Sequence, residues 1–216
     1  MATVGTGRTM AYCKGKNTFE LAVDPAAAPG FREWVFCPGM LFQATGKWWG
    51  KKGKRERPHE GLDLLLFSDH QGTIRHIDET FPVPMLADGR IVGMMDDFLG
   101  QSIIVEHPSL EDKNETFLTM YGHTHRIDHL QLGAAMKKGD ILATVAGRGQ
   151  RGFTMSPHLH ITMARTLFPV SYDRLNWDVI GTTPLLELLD PLDFIQAPFR
   201  IVGADSPACL NASPMP

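Results

Sequence analysis

Between its glycines and prolines this chain leaves room only for short segments. The 216 residues include 21 glycines and 15 prolines, spread along the whole length. Both residues are poor in helix interiors, by about 1 kcal/mol for glycine and about 3 for proline. The stretches between them are rich in β-branched, aromatic or alternating apolar residues. They are LDLLLF (62–67), GRIVGMM (89–95), QSIIVEH (101–107), TFLTMYGH (116–123), DILATVAG (140–147) and HLHITMA (158–164). Asp88-Gly89 and Gly139-Asp140 are turn signals flanked by apolar runs and read as hairpins. TPLLELLDPLDFI (183–195) reads as a short helix ended by Pro191, or as a packed loop. The pattern predicts a mainly β fold with antiparallel sheets and little helix.

A chain of this length buries a core without help from disulfides. Cys13, Cys37 and Cys209 are odd in number and widely spaced, so at most one internal disulfide can form. Their spacing reads as bystander thiols. Residues 1–55 read as an N-terminal segment whose Phe31, Trp34, Phe36, Phe42, Trp48 and Trp49 pack on the sheet. Residues 56–198 read as the core domain with its C-terminal extension. Residues 199–216 read as a tail, disordered or loosely attached, because GADSPACLNASPMP has no apolar periodicity.

The formal net charge of −3 gives no reason to expect nucleic acid or a membrane surface. No apolar run approaches the roughly 20 residues of a spanning helix. The basic run KWWGKKGKRER (47–57) reads as a solvated loop rather than a polyanion site. MATVGTGRTMAYCKGK has no apolar segment after its charges, so no signal peptide is visible. A cytoplasmic location and a removed leader both fit.

Chemistry gathers around histidines. In RPHEGLDLLLF (57–67), His59 and Asp63 stand four residues apart, where an extended segment and its bend can aim both at one ion. Glu60 lies on the other parity and is the weaker candidate. His158 and His160 share a strand face in SPHLHITMA, and Tyr121, His123 and His125 share one parity in TMYGHTH. A catalytic zinc site takes three nitrogen or oxygen ligands and keeps one position open. His59, Asp63 and one histidine of the His158/His160 pair supply such a set. His123 and the remaining histidine of that pair then stand ready as proton acceptor and oxyanion donor. HxxxD and HxH are weak signals singly; the ordered series HxxxD, YGH, PHLH is strong.

That series resembles the lysostaphin/LytM-type zinc metallopeptidases, which cut peptide bonds in bacterial cell-wall peptidoglycan and have the duplicated hybrid motif fold. HEGLD (59–63) matches their H-x-G-x-D element, PVPMLADGRIVG a following hairpin and SIIVEH the next strand. MYGH matches the catalytic-histidine strand, MKKGDILATVAGRG a turn and strand, and SPHLHITM the closing HxH element. The likeness spans about Pro58 to Ala164. By position it implies one zinc ion per chain held by His59, Asp63 and His160. His123 and His158 become the pair that orients water and steadies the transition state. It implies a peptidoglycan peptide as substrate and a periplasmic or envelope location. Two other readings share the fold: a histidine phosphocarrier, and a zinc-bearing regulatory module acting on amidases. The complete set of five residues favours the peptidase.

The other candidates read as structural. Tyr121 is at least as well explained as a core aromatic. His125 and His129 read as loop or rim residues, and His70, His76 and His107 lie near turns. Asp88 reads as turn chemistry. Phe153, Thr154 and Met155 precede the HxH strand and suit the wall of a groove.

Overall fold

The structure is a computed structural model of the chain and describes residues 4–5, 28–50, 53–108, 116–147, 155–194 and 196–212. It is mainly β and antiparallel, as expected. One sheet has the order β1 (Val4–Gly5), β14 (Phe199–Ile201), β2 (Phe31–Phe36), β4 (Leu66–Asp69), β5 (Ile74–His76). The other runs β10 (Ala135–Met136), β7 (Gly89–Asp96), β8 (Gln101–Pro108), β9 (Thr116–Arg126), β11 (Ile141–Val145), β6 (Pro82–Pro84). A further strand, β12 (Leu159–Thr166), pairs with β9 and also with β3 (Leu62–Leu64) and β13 (Leu186–Leu189). Only β14 on β2 is parallel among the described pairings. Two four-residue helices, α1 (Trp177–Ile180) and α2 (Pro207–Leu210), lie outside the sheets.

One apolar core joins the sheets: Trp34 and Phe36 from β2, Leu64 to Phe67, Ile103 and Val105 from β8, and Ile161 and Met163 from β12. Leu62 to Leu66 form an unbroken buried run, with LDLLLF covered on both faces. Burying a side chain of this size contributes about 1.5–3 kcal/mol.

Four expectations need correction. Asp88-Gly89 and Gly139-Asp140 are turns but not hairpin turns, because β6 pairs with β11 and β10 pairs with β7. Asp88 instead ties the two turns together, accepting from Lys137 Nζ at 2.7 Å and from the Lys138 N–H at 2.9 Å. LELL (186–189) is a strand on the edge of β12, where cross-strand pairing outweighs its helical pattern; Pro191–Asp193 follows as a 3-10 turn. Residues 199–212 are not loose: Phe199–Ile201 lies between β1 and β2 in its sheet, and α2 buries Cys209. Cys37 and Cys209 are a disulfide, with Cα atoms 5.6 Å apart across 172 residues of sequence. Closing so long a loop stabilises the folded chain by up to about 5 kcal/mol in the chain-entropy account. Cys13 lies outside the described residues.

Candidate metal centre

One cross-strand row builds the site. His160 in β12 stands opposite Asp63 in β3 on one side and Gly122 in β9 on the other. Paired residues in a ladder share a face, so Asp63 and His160 point together. His59 reaches them from the bend before β3. That bend passes so close to β12 that a Cβ on Gly61 would lie 2.3 Å from the Ile161 carbonyl oxygen and 2.8 Å from His160 Nε2. The glycine of HEGLD is therefore what lets the histidine and the aspartate meet.

Hydrogen bonds decide which nitrogen of each ring is available. His59 Nδ1 is 2.9 Å from the Leu41 carbonyl. A carbonyl only accepts, so Nδ1 carries the proton and Nε2 is bare. His160 sets Nε2 against the Thr162 hydroxyl at 2.9 Å, which suits a protonated Nε2 and a bare Nδ1. The bare atoms converge with Asp63 Oδ1. His59 Nε2 to His160 Nδ1 is 3.1 Å, His59 Nε2 to Oδ1 is 3.2 Å and His160 Nδ1 to Oδ1 is 2.8 Å. Ligands on a tetrahedral zinc lie about 3.3–3.6 Å apart, as follows from bonds of about 2.0–2.2 Å. The triangle is close to that size, and its three residues are buried. The donor set and spacing fit zinc.

The other oxygen of Asp63 is fastened by the N-terminal segment. Trp48 Nε1 donates to Oδ2 at 2.6 Å, and Arg55 lies 3.4 Å from the same atom. Arg55 also donates to the Gly39 carbonyl at 3.0 Å and stacks over the Trp49 ring. Burial pushes the Asp63 carboxyl up, but the His59, His160 and His158 rings in their protonated forms outweigh it and hold the group well below the usual carboxylate range.

His123 and His158 face this triangle from the other side. His158 directs Nδ1 to the Ser156 carbonyl at 2.9 Å, leaving Nε2 3.8 Å from Asp63 Oδ1. Burial drives the His158 pKa down to about 3, against the pull of Asp63. The His123 and His158 rings meet edge on, with centroids 4.8 Å apart.

His123 arrives there by an irregularity. Tyr121 pairs with Ile161 towards the core, and Gly122 faces the cleft beside His160 and Trp177. Regular alternation would turn His123 back to the core. Instead β9 carries an extra residue opposite Ser102, and His123 adopts φ 60. The left-handed backbone swings its ring into the cleft at a cost of about 1–2 kcal/mol. Tyr121, His123 and His125 therefore do not share a face. Tyr121 is core, its hydroxyl accepting from the Leu86 N–H at 3.0 Å. His125 is exposed.

Of the other candidates, Met155 and Glu60 line the cleft with Trp49, Phe98 and Trp177. Phe153 and Thr154 lie outside the described residues. His129, His70 and His76 are exposed; His107 is buried in β8, away from the cleft. Sequence reasoning missed Trp48 and Asp97, the partners of Asp63 and His123. Neither stands at a motif spacing, and only the fold brings them in.

The model of peptidase family M23 matches residues 68–171, a span that holds His123, His158 and His160 and begins after His59 and Asp63. This part of the chain is similar to the M23 peptidases. No curated protein matches the chain by sequence. Among solved structures, lysostaphin from Staphylococcus simulans is 20% identical, with 63% of this chain and 43% of that one covered at a TM-score of 0.35. The catalytic domain of the prophage-encoded M23 protein EnpA from Enterococcus faecalis, solved as a point mutant, is 22% identical. It covers 53% of this chain and 75% of that one, with a TM-score of 0.35. A zinc-containing peptidase from Vibrio cholerae is 21% identical over 74% and 40% of the two chains, TM-score 0.39. This chain thus spans about two fifths of lysostaphin and of the Vibrio peptidase.

Proposed function

We propose that the chain is a zinc-dependent metalloendopeptidase that hydrolyses peptide bonds of bacterial cell-wall peptidoglycan, in a stem peptide or a cross-link. The observation that carries this reading is the triangle of His59 Nε2, Asp63 Oδ1 and His160 Nδ1, with two further histidines facing it. His59, Asp63 and His160 hold one zinc ion. When bound, the ion supplies Lewis-acid polarisation of a scissile carbonyl and lowers the pKa of water.

The chain's own residues do the rest. His123 and His158 each have Nδ1 committed to an oxygen acceptor, so each offers Nε2 to the cleft. One Nε2 takes the proton of the attacking water and returns it to the leaving amine. The other faces the same side of the scissile carbonyl and steadies the transition state. Trp49, Phe98, Met155 and Trp177 exclude water around the peptide. The Cys37–Cys209 disulfide suits an oxidising compartment and supports a periplasmic or envelope location.

The test combines metal analysis of the purified protein with digestion of purified peptidoglycan and mass spectrometry of the fragments. One zinc per chain and fragments cut at a single type of peptide bond are expected. Zinc-loaded protein that releases no fragment would overturn the peptidase reading.

A further inference from the structure

His123 can move protons only if its ring is held in one direction and in one tautomer. A single carboxylate outside every motif does both. Asp97 follows β7, and its side chain is shielded from solvent. Oδ1 accepts from His123 Nδ1 at 3.1 Å and from the N–H groups of Leu99 and Gly100 at 2.9 and 2.8 Å. Oδ2 accepts from the backbone N–H of the same histidine at 2.9 Å and from the Ser102 hydroxyl at 2.6 Å. Trp177 donates to that hydroxyl at 2.9 Å, while its ring lies edge on to His160. Five donors occupy a carboxylate with about four lone-pair sites, so it has no freedom to turn. Ring and backbone of one residue are gripped at once, and that residue is the one with φ 60.

We propose that Asp97 is the positioning residue of His123: it keeps Nδ1 protonated, so that a bare Nε2 faces the cleft, and it fastens the left-handed backbone that aims the ring. The proposal rests on the peptidase reading for the task of His123. The chemistry requires a carboxylate. An asparagine has one oxygen and one NH2. With the NH2 towards the His123 backbone, two donors face each other. With it towards Nδ1, the ring must bare Nδ1 and carry its proton on Nε2, the wrong tautomer for a base. The rival role is closure of the Phe98–Gly100 turn, for which Leu99 and Gly100 are the partners. Those two N–H groups share Oδ1 with His123 Nδ1, so an asparagine that keeps the turn holds its oxygen there and sets its NH2 against the His123 backbone N–H. Asp97→Asn therefore separates the two roles.

The experiment uses the full chain loaded with zinc. Long-range proton–nitrogen NMR of the histidine rings near neutral pH should show His123 protonated on Nδ1 in the wild type. Asp97→Asn, whose neutral oxygen holds Nδ1–H more weakly and whose NH2 opposes the His123 backbone N–H, should let part of the population carry the proton on Nε2. Turnover of solubilised peptidoglycan fragments should fall by about 10²–10⁴-fold, with KM within about threefold and zinc content unchanged. A wild-type ring protonated on Nε2 overturns the proposal and needs no variant, so it decides the matter even if Asp97→Asn fails to fold. An unchanged tautomer or unchanged turnover in Asp97→Asn overturns it as well. A protein with the expected wild-type tautomer that cuts no peptidoglycan counts against the peptidase reading and leaves the hold of Asp97 on the ring standing.

Discussion

On one side of the cleft, His59, Asp63 and His160 bring three donor atoms within 3.2 Å of one another. On the other, His123 and His158 turn their Nε2 atoms towards that group without joining it. Residue types and burial are nearly the same on both sides. What differs is the partner of the second ring nitrogen and how the backbone delivers each ring. Three residues of the first group come from a ladder row and its adjoining bend, so their convergence is set by register. His123 comes from a bulge with strained backbone, and a separate aspartate must hold it. Both aspartates are backed through an indole N–H: Trp48 directly on Asp63, and Trp177 through Ser102 on Asp97. Position in the hydrogen-bond network, not residue identity, distinguishes the two groups.

The sharpest way to break the comparison is to delete one member from each side. Asp63→Ala should abolish both zinc binding and activity, since two nitrogen ligands remain; metal analysis of the purified variant checks it. His123→Ala and His158→Ala should keep zinc and fold while turnover drops by about 10²–10⁴-fold. Zinc loss in His158→Ala would instead move that residue into the first group.

His107 is the control: a buried histidine of the same sheet with no place in the cleft. Its Nδ1 donates to the Asp88 carbonyl and its Nε2 takes the Thr119 hydroxyl, a fully paired neutral ring. Burial lowers its pKa to about 4, against the pull of the Asp88 carbonyl and of Glu106. Its folded pKa lies below the unfolded value near 6.5. The unfolded chain therefore binds the proton first, and the contribution of His107 is complete above pH about 6.5. That contribution is lost as pH falls through about 4, by up to about 3 kcal/mol. His107→Gln should flatten the fall in stability over that window with activity at neutral pH unchanged. Denaturant titrations at several pH values read it, and equal slopes in the two proteins would refute the assignment.

The smallest effect expected is at the support of the first group. Trp48→Phe keeps the ring and removes the donor to Asp63 Oδ2. Zinc affinity, measured by chelator competition, should weaken by about 10–100-fold, the usual scale for a partner of a metal ligand. An unchanged affinity would show that Arg55 alone suffices.

The β character of the chain was legible because strand propensity and glycine–proline punctuation are local properties. The approach of His59 to Asp63, and of His158 to His160, was legible for the same reason: each pair lies within five residues, and a strand or bend repeats over that distance. Gly61 belongs here too, as the letter that permits close passage of β12. The tertiary structure alone decided the rest. Local alternation placed His123 with Tyr121, and a one-residue bulge reversed it. LELL carried a helical pattern that pairing with β12 overrode. Cys37 and Cys209, 172 residues apart, meet because β14 returns parallel to β2. Asp97 and Trp48 leave no mark in the sequence, since a carboxylate or an indole becomes a partner only when the fold sets its acceptor or donor within about 3 Å of another group.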